Sequence, residues 1–123
     1  MTAEDFYHRV EARLPDTIEV DGRTLTHEVL AALADRLTPD EAAEIGAELP
    51  DELGDVLAGA HGDGELSRDE FIEDIAARLD LDDDDAEVGT QTVLGVIRQA
   101  LEPVVSIDQV LESLPADLAA LMQ

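Results

Sequence analysis

At 123 residues, 45% of them hydrophobic, the chain is long enough to build one core and too apolar to be a disordered segment. Thirty-one acidic residues oppose seven basic ones, all arginine, for a formal charge of −24, which disfavours nucleic-acid phosphates and anionic membrane surfaces as partners. The absence of cysteine excludes disulfides, zinc-thiolate sites and thiol nucleophiles, and the absence of lysine excludes Schiff-base chemistry and a Walker-type phosphate loop.

Taken in chain order, the apolar residues fall at helical steps. Phe6, Val10 and Leu14 share one face and predict a helix over 3–14. From Thr17 to Thr26 apolar and polar residues alternate around Asp21-Gly22, a local hairpin signal. The counterpart of this stretch later in the chain, 81–91, is an Asp-rich helix start, so 16–22 is assigned as a loop with at most a short extended piece. Val29, Leu33 and Leu37 predict a helix over 23–37. Thr38, Pro39 and Glu41 supply a capping hydroxyl, a proline at the first helical position and a glutamate three residues after the cap, and they open a helix over 39–48 containing Ile45. Leu49-Pro50 ends that helix and starts a short one over 50–58, because proline disfavours helical geometry in the residue before it. The glycines at 59, 62 and 64 mark a flexible connection over 59–66. Ser67 and Glu70 repeat the capping-box pattern before a helix over 68–79 carrying Phe71, Ile75 and Leu79. Val93, Ile97 and Leu101 lie in a helix over 83–101, Val110 in one over 104–113, and Leu114-Pro115 precedes a last helix over 115–122.

Laid on itself at an offset of 64 to 65, the sequence matches in order. Phe6, Val10, Arg13 and Leu14 correspond to Phe71, Ile75, Arg78 and Leu79. Val29, Leu30, Leu33, Leu37 and Pro39 correspond to Val93, Leu94, Ile97, Leu101 and Pro103. Ile45, Leu49, Pro50, Leu53 and Val56 correspond to Val110, Leu114, Pro115, Leu118 and Leu121. The expected fold is all-α: a bundle of about eight helices in which two tandem, pseudo-symmetric four-helix repeats, about 3–58 and 67–123, share one core as a single domain. A unit of about 60 residues buries too little surface to be comfortable alone, so the two halves should pack face to face.

The order just described, a Phe-led helix with Arg-Leu near its end, a Val-Leu helix closing on Arg36-Leu37, then a short helix ending in Leu49-Pro50, recurs with Phe71, Arg78-Leu79 and Leu114-Pro115. It resembles the domain of unknown function 2267 family over nearly the whole chain. The resemblance implies a helical fold. It implies no activity, because its motifs are packing leucines, arginines and prolines.

The excess of carboxylates, the missing lysine and the aromatic poverty (Phe6, Tyr7 and Phe71 only) resemble the proteins of extreme halophiles that accumulate salt internally. At molar salt the screening length falls to about 3 Å, and the self-repulsion of such a surface largely disappears. No segment approaches the ~18 apolar residues of a membrane span, and the first residues lack the basic-then-apolar order of a signal peptide, so a cytoplasmic location is expected.

The best approach to a site is 61–71, whose second half imitates a calcium loop. With Gly64 as the sharp-turn glycine, Asp63, Leu66, Ser67, Glu70 and Phe71 fall in register. The first and third ligand positions would then be Gly59 and His61, where calcium needs hard oxygen ligands. His61, Asp63 and Glu65 are therefore weak metal candidates. So are Asp82, Asp84 and Asp85, whose run equally suits the positive end of a helix. His8, His27 and His61 have no ligand-like spacing; His8 attracts notice because it adjoins Tyr7. Ser67, Ser106 and Ser113 lack a nucleophile elbow, and in so acidic a chain close carboxylate pairs arise without selection for acid-base work. Arg13 and Arg78 suit helix C-terminal carbonyls or neighbouring acids better than a ligand. No catalytic residue and no cofactor is assigned. The expectation is a non-enzymatic scaffold or protein-interaction module, a monomer or weak homodimer. The alternatives are a divalent-metal or small-ligand binding protein and an acidic mimic that binds a basic partner.

Overall fold

The computed structural model describes residues 2–62 and 67–101, with Leu101 described through its backbone alone. Within them lie six helices and no strand: α1 (Ala3–Arg13), α2 (Gly22–Ala34), α3 (Pro39–Gly46), α4 (Asp51–Leu57), α5 (Arg68–Leu79) and α6 (Asp83–Leu101). The helices expected over 104–113 and 115–122, with core positions Val110 and Leu114, lie outside the described residues, as does the side chain of Leu101.

Local chemistry sets the helix ends. Thr38 and Glu41 form the expected capping box with Pro39 in the first turn, and Thr2 and Asp5 form a second one ahead of α1. Asp21 decides the ambiguous segment. Its carboxylate accepts from the Thr24 backbone N–H at 2.7 Å, so the Asp-Gly pair starts a helix instead of turning a hairpin, and the residues before it form no strand. Ser67 occupies the N-cap of α5, yet its side chain makes no cap bond, contrary to the capping box expected there. Asp80 ends α5 in the left-handed conformation (φ 56°), which aspartate tolerates better than most residues, while its N–H and that of Leu81 bond Ala76 O.

Helix α2 is the hub, packing against α1, α4, α5 and α6. Helix α1 also packs on α6, α5 lies along α6, and α3 packs chiefly on α4. The core between them contains Phe6, Val10, Val29, Leu33, Leu37, Ile45, Leu49, Phe71, Ile75, Val93 and Ile97, all buried. Leu14 and Leu79, expected in the core, are half-buried and pack against its edge, since each sits at the C-terminal end of its helix. Polar ties reinforce the contact between α2 and α5. Arg36, just beyond α2, donates back to Ala32 O (2.9 Å) and across to Asp74 (3.0 Å), with its guanidinium 5.5 Å from the centre of the Phe71 ring. Arg78 reaches Asp35 at 2.8 Å, Asp74 at 3.2 Å and Glu28 at 3.6 Å. Burial opposes its charge, but Asp74, Asp35 and Glu28 more than offset this and raise its pKa.

The start of the glycine-rich connection is docked instead of free. His61 N–H donates to Ala34 O (3.1 Å) and Gly62 N–H to Leu37 O (2.9 Å), satisfying carbonyls at the end of α2. A Cβ on Gly62 would lie 2.2 Å from the Arg36 carbonyl carbon, so this glycine permits close approach of two backbones.

Candidate functional site

The residues with metal-ligating chemistry in the sequence do not converge. His61 is exposed, with Nδ1 3.1 Å from Gly59 O and Nε2 3.6 Å from Asp35. Asp63 and Glu65 lie outside the described residues. Asp82 precedes α6 and its carbonyl accepts from Ala86 N–H, while Asp84 and Asp85 stand in the first turn, where carboxylates meet the positive helix end. Among the described residues no group of three or more His, Asp or Glu side chains has a metal-holding arrangement.

A different cluster forms where α1, α2 and α4 meet. The Tyr7 hydroxyl lies 2.7 Å from His27 Nε2, with the two rings tilted by 53° at 5.8 Å. His27 Nε2 is in turn 3.7 Å from Glu52 Oε1, and the same oxygen accepts from Arg23 at 3.1 Å. Phenol, imidazole, carboxylate and guanidinium thus join three helices. The sequence directed attention to His8 beside Tyr7, whereas the partner of Tyr7 is His27, twenty residues away. No sequence signal joins them, since the separations of Tyr7, His27 and Glu52 match no motif.

The cluster is a hydrogen-bonded and ion-paired chain across three helices. Burial, and after it the negative charge of Glu52, push the Tyr7 phenol above its ordinary value. A catalytic phenol needs the opposite shift to act as base or nucleophile near neutrality. The 2.7 Å hydrogen bond between the Tyr7 hydroxyl and His27 Nε2 fixes the rings and the spacing of α1 and α2.

Beside this cluster, a surface groove of about 290 Å³ runs between α1 and the start of α2, lined by Glu4, Tyr7, His8, Glu11, Asp21 and Arg23. Two of its carboxylates are fixed. Glu11 accepts from Gly22 N–H at 2.8 Å, and Asp21, the cap of α2, is held below the usual carboxylate range by its hydrogen bond from Thr24. A groove of about 180 Å³ lies between α5 and α6, where Arg68, Asp69, Ile72, Glu73 and Glu87 are among the lining residues and Arg68 is ion-paired with Glu87. A third depression, of about 410 Å³ between α3 and α4, is walled mainly by small residues, among them Ala43, Gly46, Ala47 and Gly54.

No helix among the described residues is long and apolar enough to cross a membrane. No curated protein and no solved structure matches the chain. The sequence profile of the family described as uncharacterized conserved protein (DUF2267) matches residues 3–121, and the chain belongs to that family.

Proposed function

We propose that this chain is a non-enzymatic protein-interaction module of a salt-rich cytoplasm, and that its partner is basic. The observation that carries the proposal is the direction in which charge is used. Arg23, Arg36, Arg68 and Arg78 are each engaged with carboxylates of the chain itself, in a molecule of formal charge −24. A surface of that sign steers cationic proteins toward it and repels phosphate and anionic lipid. The Tyr7–His27–Glu52 chain, which ties α1, α2 and α4 together, supports a structural role for these groups.

The architecture we propose with it is two equivalent halves around one core. Helix α1 packs on α2 and α6, and α5 packs on α6 and α2, which is the pattern that exchange of halves predicts. Thr26 and Thr90, both buried, stand at the same offset as Val29 and Val93. Leu25 faces Gly89, its own counterpart, where a Cβ would come within 3.1 Å of the leucine, as happens near an axis relating two helices.

Calorimetric titration of the full chain with arginine-bearing and glutamate-bearing versions of one peptide, in molar potassium chloride, tests the function. Saturable binding of the basic peptide alone is expected. No saturable heat with any basic polypeptide, at a salt concentration where the chain is folded, overturns it.

A further inference from the structure

We infer that a second copy of this chain docks on the face shared by α1 and the outer side of α6, where Arg9 and Arg13 take carboxylates of that copy. The inference is independent of the basic partner proposed above, which two exposed arginines repel. Acidic residues are 31 of the 123 in the chain, yet α6 carries no Asp or Glu from Val88 to its end at Leu101, and its only charge there is Arg98. Val88, Thr92, Gly95 and Gln99 follow one another at steps of four and three, along one side of that helix. Val88 is exposed to 37%, the large hydrophobic residue that the described part of the chain leaves open to solvent. Arg9 and Arg13, both exposed, stand beside this strip on α1. A Cβ on Gly95 would lie 3.4 Å from Arg13 Nη1, which places that guanidinium against α6.

The twin of this arrangement, where α5 meets α2, shows what Arg13 lacks. By the duplication Arg13 matches Arg78 and Gly95 matches Ala31. Arg78 pairs with Asp74 on its own helix and, across the contact, with Glu28 and Asp35, which flank Ala31. The positions matching these three carboxylates hold Arg9, Thr92 and Gln99, a cation and two neutral groups. Among the described residues Arg9 and Arg13 accordingly have no hydrogen bond or ion pair from their side chains, whereas Arg23, Arg36, Arg68 and Arg78 each hold a carboxylate. A carboxylate for Arg13 must come from another molecule, and the acidic surface that accompanies this chain wherever it occurs is that of its own copies. Two molecules of charge −24 repel wherever their carboxylates meet, so contact costs least along a strip that has none. Covering Val88 adds an apolar gain at the same place.

The test is sedimentation equilibrium of the full chain in molar potassium chloride, over concentrations up to millimolar, with urea midpoints to show that each variant is folded. Reversible, concentration-dependent association is expected. Arg9→Gln with Arg13→Gln should weaken it roughly tenfold, as the loss of two charge-assisted contacts. Thr92→Glu with Gln99→Asp copies Glu28 and Asp35 to the positions beside Arg13, so the arginine pairs within its own chain; association should disappear without a fall in the urea midpoint. Val88→Asp, which puts a carboxylate into the strip, should also abolish association, whereas Ala43→Glu, adding the same charge at an exposed position of α3, should not. A chain that stays monomeric throughout, association indifferent to loss of the two arginines, or equal losses from Val88→Asp and Ala43→Glu overturn the inference. None of these results bears on the titration with basic peptides.

Discussion

Two glycines three residues apart should respond to alanine in opposite directions. At Gly62 the new Cβ would sit 2.2 Å from the carbonyl carbon and 2.3 Å from the oxygen of Arg36, both backbone atoms that cannot rotate away. The connection has to lift, and the bonds from His61 N to Ala34 O and from Gly62 N to Leu37 O are lost or stretched. At roughly 0.5–1.5 kcal/mol per bond, Gly62→Ala should cost about 1–3 kcal/mol. At Gly59 the nearest atom to a new Cβ is Val56 O at 3.9 Å, an ordinary contact. Gly59→Ala should therefore stabilise by about 0.4–1 kcal/mol, by narrowing the unfolded ensemble. Urea unfolding followed by circular dichroism in molar potassium chloride measures both, with the slope unchanged and the midpoints moving apart. Coincident midpoints, or a stabilised Gly62→Ala, would refute the docking of this segment on the end of α2.

Other perturbations test the remaining steps. Thr38→Ala should cost about 1 kcal/mol because it removes a formed capping box, while Ser67→Ala should change the urea midpoint little, since Ser67 makes no cap bond; equal losses would contradict that asymmetry. Asp21 titrates below its unfolded value, so its stabilisation is complete above the unfolded carboxylate range and is lost as pH falls through the lowered folded value. Asp21→Asn keeps a capping acceptor and should flatten that part of the stability profile, measured as urea midpoints across acidic pH. Lowering salt below about half molar should unfold the chain cooperatively as screening of its −24 charge weakens. A melting temperature indifferent to salt would remove the halophilic argument.

What the sequence disclosed and what it withheld divide along physical lines. The bounds of α5 and α6 were legible because apolar steps of three and four run up to a capping residue at Ser67 and an Asp-rich start at Asp83. The end of α2 was not. Periodicity carried the expected helix to Leu37, while the regular helix stops at Ala34 and Arg36 and Leu37 fold back in a tighter turn, their N–H groups both on Leu33 O. Leu37 is buried either way, so the apolar pattern records the face and not the ladder. The alternation around Asp21 misled for a similar reason, since Asp-Gly serves a turn and a helix cap equally well until the Thr24 N–H is placed. The Tyr7, His27 and Glu52 cluster was illegible because its members come from three helices at separations no motif encodes. The acidic and histidine residues near 61–71 drew attention through adjacency in sequence, which brings ligands together only when the backbone curls around them.

Arg36 makes a point about shape. One side chain donates back to Ala32 O in α2, reaches across to Asp74 on α5 and lies over the ring of Phe71. A rounded ammonium could donate to both oxygens, as Nη1 does, but would bring no planar group to the face of the Phe71 ring. Replacing this arginine by lysine would keep the charge and still loosen the joint between the end of α2 and α5, so the choice of cation here is a matter of geometry as much as of charge.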